Sequence, residues 1–374
     1  MKRILSVVLS VLMATLIVTG CRHSEPYLIG FIGPTSGRSA DLGISGRNGA
    51  ILAFEQVNAA GGVHGREIKL IVRDDEQSTQ RGREIIREFQ RMNVDAVLGP
   101  FTSGVAVAIM PLVDEAQLTT MAVTTTSNLL SGKDDFLLRT VSSTSDHATR
   151  HGAYHYQQLG FRKVHVITDE TNAAYTHSWY DDYSRGFTLA GGRMPENTGF
   201  ETGNDVNFDA LVAKVMATDP DLIVLCTNSL DAAALAKAIR LAGSDVQIAT
   251  SEWAGTERLI SLGGHYVEGL IVPQYLNRQD AGEDYLAFRQ AYLDRFNQQE
   301  PGFSGKIAYN SARVLAMALA EQKRGEALKD TIIRLRHFPG VQGDIQFTST
   351  GDSRSETFLS RIVGGEFVSE AALQ

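Results

Sequence analysis

The sequence predicts an α/β fold of two lobes, each a parallel sheet covered by helices on both faces. Three observations predict it. Short apolar runs alternate with longer segments of helical period, glycine and proline punctuate the joins, and the alternation restarts once near the middle of the chain.

The first lobe is read from repeated strand, loop and helix units. Residues 27–32 form a strand ending in the turn Gly33, Pro34, Thr35, Ser36, Gly37, and a helix over 46–59 follows, stopped by Gly61 and Gly62. The unit recurs as strand 67–72 with helix 79–92, as strand 96–98 with helix 103–116, and as strand 119–123 with a threonine-rich loop. After 139–146 the pattern restarts with a helix ending at 159, strand 163–168 and helix 175–189, so a second lobe begins there. It continues through strand 222–226, helix 231–241, strand 247–250, a helical turn over 256–262 and strand 269–272. Helices 284–297 and 304–321 come next, and 345–368 reads as strands able to close the second sheet.

The first residues carry a different signal. Lys2 and Arg3 precede an apolar run over 4–18 that is too short to span a bilayer, the pattern of a processed export segment. Val18, Thr19, Gly20 and Cys21 form the bacterial lipobox pattern, whose small residues admit the peptidase and whose cysteine receives the lipid; the alternative is an ordinary secretory signal with an incidental cysteine. The expectation is a signal peptide over 1–20, lipidation at Cys21 and a tether over 21–26, in a protein held at the periplasm or cell surface by a lipid anchor. Arg22 after the acylated cysteine favours an outer membrane where the cell has one.

Removal of 20 residues from 374 leaves 354, a length for two domains or one elaborate one. Losing Lys2 and Arg3 takes the formal charge from −8 to −10, which argues against nucleic acid as a partner and against electrostatic docking on anionic lipid. Of the two cysteines only Cys226 then remains free, so no internal disulfide forms and Cys226 is expected to pack as a small apolar residue.

Six segments, taken in order and spacing, carry a resemblance. They are 29–37 (IGFIGPTSG), 58–65 (NAAGGVHG), the acidic turn Asp74 and Asp75, 98–104 (LGPFTSG), 309–319 (YNSARVLAMAL) and 343–347 (GDIQF). Together they resemble the branched-chain amino-acid-binding family, the periplasmic leucine/isoleucine/valine receptors that feed ABC importers, nearly end to end. The resemblance implies a type I periplasmic-binding fold: two doubly wound parallel-sheet lobes joined by a three-segment hinge, with 27–144 and 274–345 in one lobe and 145–273 and 346–374 in the other. It implies a non-enzymatic, extracytoplasmic solute-binding protein that captures an amino acid or amino-acid-like molecule by hinge closure, with ABC permease and ATPase subunits as partners. The same fold also serves amide and small-carboxylate sensors that signal to a partner, and the sequence leaves that alternative open.

The family holds the ligand's α-carboxylate and α-ammonium at the carboxyl ends of strands, where open α/β sheets place ligands. By resemblance, Ser103 meets the carboxylate, aided by the free N–H groups and positive dipole end of its helix; Ser103 equally suits an N-cap. Thr124 supplies a carbonyl and Thr126 a hydroxyl, although a threonine run after a strand also suits turn chemistry. Tyr175 closes over the ligand and Glu252 pairs with its ammonium. Leu42 and Asn228 stand where the receptors have aromatic residues, and Gln77 and Thr102 replace their cysteine pair. Asn228 offers a donor and an acceptor to a ligand that keeps an amino-acid head group without having to be leucine, isoleucine or valine.

Other chemistry finds little support. His147, His151 and His155 would share one helix face, but no carboxylate or cysteine accompanies them at ligand spacing, so they read as a solvated or lobe-packing face and no metal is expected. Gly43, Gly46 and Gly49 do not directly follow a strand and fail the dinucleotide fingerprint, and no phosphate loop exists, so no cofactor is expected. Ser36, Ser103 and Ser304 form no nucleophile elbow. Asp74/Asp75 and Asp181/Asp182 read as solvated turn and helix-surface pairs.

Overall fold

The computed structural model describes residues 25–203 and 205–373. The expected signal peptide and Cys21 lie outside the described residues. Among those described, no helix is long and apolar enough to cross a membrane.

The first sheet is wholly parallel. It contains β1 (Tyr27–Gly33), β2 (Ile68–Asp74), β3 (Ala96–Leu98), β4 (Thr120–Ala122) and β5 (Leu137–Arg139) in the order β2-β1-β3-β4-β5. Between these strands run α1 (Ala40–Ala59), α2 (Thr79–Met92) and α3 (Ser103–Glu115). The second sheet has seven strands. β6 (Val164–Asp169), β7 (Glu196–Phe200), β8 (Leu222–Cys226), β9 (Gln247–Thr250) and β10 (Ile271–Gln274) are mutually parallel. A separate hairpin, β11 (His337–Pro339) with β12 (Asp344–Gln346), precedes β13 (Thr357–Val363) and β14 (Glu366–Leu373), which complete the second sheet antiparallel in the order β14-β13-β10-β9-β8-β6-β7. The expected closing strands over 345–368 are thus corrected. Residues 344–346 pair within the hairpin, and only 357–373 join the sheet.

Helices α4 (Thr144–Gln157), α5 (Ala173–Leu189), α6 (Phe208–Met216), α7 (Ser229–Leu241) and α8 (Glu257–Gly263) belong to the second half, followed by α9 (Glu283–Arg295), α10 (Gly302–Glu321) and α11 (Leu328–Leu335). The chain passes between the sheets after β5, after β10 and before β13. Helix α10 lies against α1 so closely that a Cβ on Gly49 would stand 2.1 Å from the Gly305 carbonyl oxygen. A side chain at either crossing point would force the helices apart.

Local chemistry explains which boundaries were readable. Helix α2 begins where the Ser78 hydroxyl accepts from Arg81 N and ends at Asn93, whose φ of 50° is left-handed, so both limits are written in adjacent residues. Helix α1 starts at Ala40 rather than 46 because Gly43 and Gly46, poor helix formers, are required inside it. A Cβ on Gly43 would lie 2.0 Å from the Pro34 carbonyl oxygen. Strands β5 and β7 and helices α6 and α11 escaped the sequence reading; β5 is three residues long, and β7 (ENTGF) lacks an apolar pattern. Cys226 is free and fully buried in β8, packed as an apolar residue.

Candidate ligand-binding site

The carboxyl end of β3 leads through Gly99 to Phe101, Thr102 and the start of α3. Phe101 fills a slot made by two glycines: a Cβ on Gly33 would stand 2.5 Å from its ring, and one on Gly46 would stand 2.1 Å from it. The glycines that fail a nucleotide fingerprint therefore admit an aromatic ring and a loop. With Phe101 seated, Thr102 and Ser103 line a cavity between the lobes.

The first-sheet wall of this cavity includes Leu42, Phe101, Thr102, Ser103 and Thr124. Ser103 is the first residue of α3 rather than its cap; Thr102 holds the cap position and makes no side-chain capping bond. The Ser103 hydroxyl accepts from Ser127 N at 3.3 Å, while the buried Thr102 hydroxyl has no hydrogen-bond partner. Gly104 N, one of the free donors of the helix start, donates to Asn172 Oδ1 of the opposite wall at 2.9 Å. The Thr124 hydroxyl donates to the Phe101 carbonyl at 2.6 Å. Thr126 lies behind the wall: its carbonyl accepts from Thr144 N, and its hydroxyl is buried without a partner. The threonine-rich loop is held from behind by Arg139, whose guanidinium reaches the Thr125 and Ser127 carbonyls and pairs with Asp352 at 2.7 Å.

The opposite wall carries Asn172, Tyr175, Glu252 and Trp253, with Tyr275 and Phe303 completing the enclosure. Asn228, expected at the ligand, lies off the wall: it caps α7, its Oδ1 accepting from Asp231 N at 3.0 Å and its amide donating to the Asp231 carboxylate at 2.8 Å. Its short polar side chain satisfies the helix start instead.

Glu252 is the centre of this wall. Its carboxylate is only 3% exposed, and one oxygen receives Trp179 Nε1 at 2.9 Å and the Tyr175 hydroxyl at 3.2 Å. The other oxygen lies 2.7 Å from His147 Nδ1 and 3.1 Å from His151 Nδ1. Burial alone would raise this carboxyl, yet the two imidazoles hold it well below the usual carboxylate range. Burial pushes His151 down, partly offset by Glu252, and pushes His155, one turn further along α4, down to about 3. Burial likewise lifts the Tyr175 phenol well above its ordinary value.

Of the two expectations for the histidine face, solvated or packed, the packed one holds. All three histidines are at most 1% exposed, packed between α4 and α5, because Glu252 from the end of β9 supplies the charge that the local sequence lacks. The wall residues that sequence reasoning missed as such include Asn172, Trp253, Tyr275 and Phe303. Only Asn172, ahead of helix α5, carries a cap-like local signal.

The lobes touch along the cleft on one side of the cavity. Arg38 pairs with Asp231 at 2.7 Å and donates to the Gly203 carbonyl at 2.6 Å, and Asp41 accepts from Ser229 Oγ at 2.7 Å and from the Thr256 hydroxyl. The ring of walls and contacts is a closed arrangement.

Two sheet-centred lobes brought together around a cavity between them define a two-lobed ligand-trapping protein. The chain belongs to the periplasmic binding protein family, whose family model matches residues 26–362. It is 24% identical over 352 residues to a Leu/Ile/Val-binding protein homolog of Brucella suis, with 92% of each chain covered. Its fold matches a branched-chain amino-acid transporter substrate-binding protein of Streptococcus pneumoniae in complex with isoleucine (TM-score 0.84, 24% identity, 93% of this chain and 98% of that one). It also matches an ABC transporter solute-binding protein of Rhodopseudomonas palustris in complex with 3,4-dihydroxybenzoic acid (TM-score 0.82, 19% identity, 93% and 97% covered). Family membership makes the chain an extracytoplasmic binding protein and not an enzyme.

Proposed function

We propose that this protein is the solute-binding component of an ABC importer, tethered through lipidated Cys21, and that it captures a small molecule with a carboxylate head group, amino acids being the first class to test. One observation carries this reading: the start of α3, with the Ser103 hydroxyl and the unpartnered Thr102 hydroxyl, faces the Tyr175, Glu252 and Trp253 wall across a single cavity. A helix start with polar hydroxyls favours an anion, and the apolar lining suits the body of a small organic acid. Solute docks on the first wall and hinge rotation brings Tyr175 onto it. Interactions that form only in the closed state then shift the population toward the form that a permease recognises.

A second reading concerns the ammonium. Glu252, assigned to it by resemblance, already has an indole, a phenol and two imidazoles around its oxygens. That arrangement favours a carboxylic acid without an amino group, and the aromatic lining favours it further. Calorimetric titration with matched pairs, leucine against 4-methylpentanoate and phenylalanine against 3-phenylpropanoate, separates the two. Tighter binding of the amino acids supports the ammonium contact, tighter binding of the plain acids supports the second reading, and no binding by any of the four counts against a carboxylate-bearing solute. In either case Ser103→Ala is expected to weaken the bound acid about tenfold or more, since a hydrogen bond to a charged group is worth about 1.5–3 kcal/mol.

A further inference from the structure

We propose that His147, His151 and Glu252 form a binding site for a divalent cation of the zinc class, at the wall of the solute cavity that Glu252 lines. Two histidines four residues apart on one helix face, joined by a carboxylate from elsewhere in the fold, make a His₂Glu donor set, and one ligand atom from each lies within 4.8 Å of the others.

A second observation points to a missing ligand. Both imidazoles lie within hydrogen-bond distance of Glu252, yet neither ring directs an N–H along the line to its oxygen. All four ring nitrogens and Glu252 Oε1 are buried without an aligned partner. Buried polar atoms are rarely left so, and here three of them, the two Nδ1 atoms and Glu252 Oε1, face one another.

The surroundings already have the form of an outer shell. Trp179 Nε1 and the Tyr175 hydroxyl hold Glu252 Oε2 and leave Oε1 turned to the imidazoles, which is how outer hydrogen bonds orient a ligating carboxylate. Tyr275 meets His147 edge-on with ring centroids 5.4 Å apart, and its buried hydroxyl has no hydrogen-bond partner. Zinc with ligands at about 2.0–2.2 Å spaces them about 3.3 Å apart. The two histidine-to-Glu252 gaps of 2.7 and 3.1 Å would open slightly to that spacing. His155 takes no part, because its Nδ1 is bonded to the Tyr183 hydroxyl at 2.8 Å.

The test uses the full mature chain, stripped with chelator and titrated with zinc in the absence of any solute, so that its outcome is separate from that of the solute panel. One zinc per chain is expected. Affinity should fall by more than about 100-fold in His151→Ala and in Glu252→Gln, since losing a direct ligand exceeds the 10–100-fold cost of losing an outer-shell partner. His155→Gln should bind as the wild type does. Zinc binding that is undiminished in both ligand variants, or no stoichiometric binding by the wild type, overturns the proposal. Should the variants not fold, cobalt(II) added to the wild type decides: the visible absorption of a four-coordinate ion supports the site, and its absence at saturating cobalt refutes it.

Discussion

Where the first-sheet wall of the cavity offers hydroxyls at a helix start, the opposite wall buries a carboxylate among two imidazoles, an indole and a phenol. The first wall is centred on the contiguous stretch 98–104, seated by Phe101 between two glycines, with Leu42 added from α1 and Thr124 from the threonine loop. The second gathers residues 147, 151, 175, 179 and 252 from α4, α5 and the end of β9. A neutral site can thus be built locally, whereas a buried charge must recruit partners from wherever the fold brings them.

The most direct challenge to this contrast is to truncate one residue on each wall. Glu252→Ala strands two imidazoles and two donors in the interior and is expected to cost about 3–5 kcal/mol. Ser103→Ala leaves one buried N–H, that of Ser127, without its acceptor and should cost about 1–3 kcal/mol. Urea denaturation of both variants measures the difference, and equal losses would remove the distinction.

Acid and base titration extend the contrast through one buried group in each half. Burial holds His155 at about 3 in the folded chain against an ordinary 6.5, so below pH 6.5 the unfolded chain takes a proton that the folded chain refuses. Stability should therefore fall by about 1.4 kcal/mol per pH unit on that account as the medium is acidified from 6.5 toward 3. Asp75, on the first sheet's side, is buried and not solvated as its turn suggested, and has the opposite sign: burial raises it from 3.8 to about 7, so the folded chain keeps a proton that the unfolded chain has lost. Its contribution is full below 3.8 and disappears as pH rises through 7. Between 3.8 and 6.5 the two slopes oppose each other. Denaturation curves from pH 4 to 8 should show His155→Gln losing the acid-side fall and Asp75→Asn gaining relative stability toward neutral pH; parallel profiles for the two variants would contradict both assignments.

The smallest effect is expected where the walls meet. Asp41→Asn weakens the closing contacts to Ser229, Thr256 and Arg258, which lies 3.7 Å away. Asp41 and Arg258 are partly exposed, so the loss in solute affinity should be no more than about fivefold at low salt and should shrink as salt is added. Titrations at two ionic strengths check this.

Much of the fold was legible because its signals are local. Strands β3, β8 and β9 and helix α2 fall where their apolar runs and caps place them. Ser103, Thr124, Tyr175 and Glu252, placed by resemblance, all reach the cavity, whereas Thr126 lies behind the wall and Asn228 caps a helix. A threonine or asparagine after a strand has the same local appearance whether it faces a ligand or its own backbone.

The alternation of strand and helix, the glycine-lined approach to α3 and the presence of three histidines on one helix face are all written in the order of residues. They follow from periodicity and from backbone chemistry within a few positions. The burial of those histidines and their pairing with Glu252 arise only when the chain is folded. A charge taken out of water is compensated by whatever lies within a few ångströms in space, and chain order carries no record of that distance.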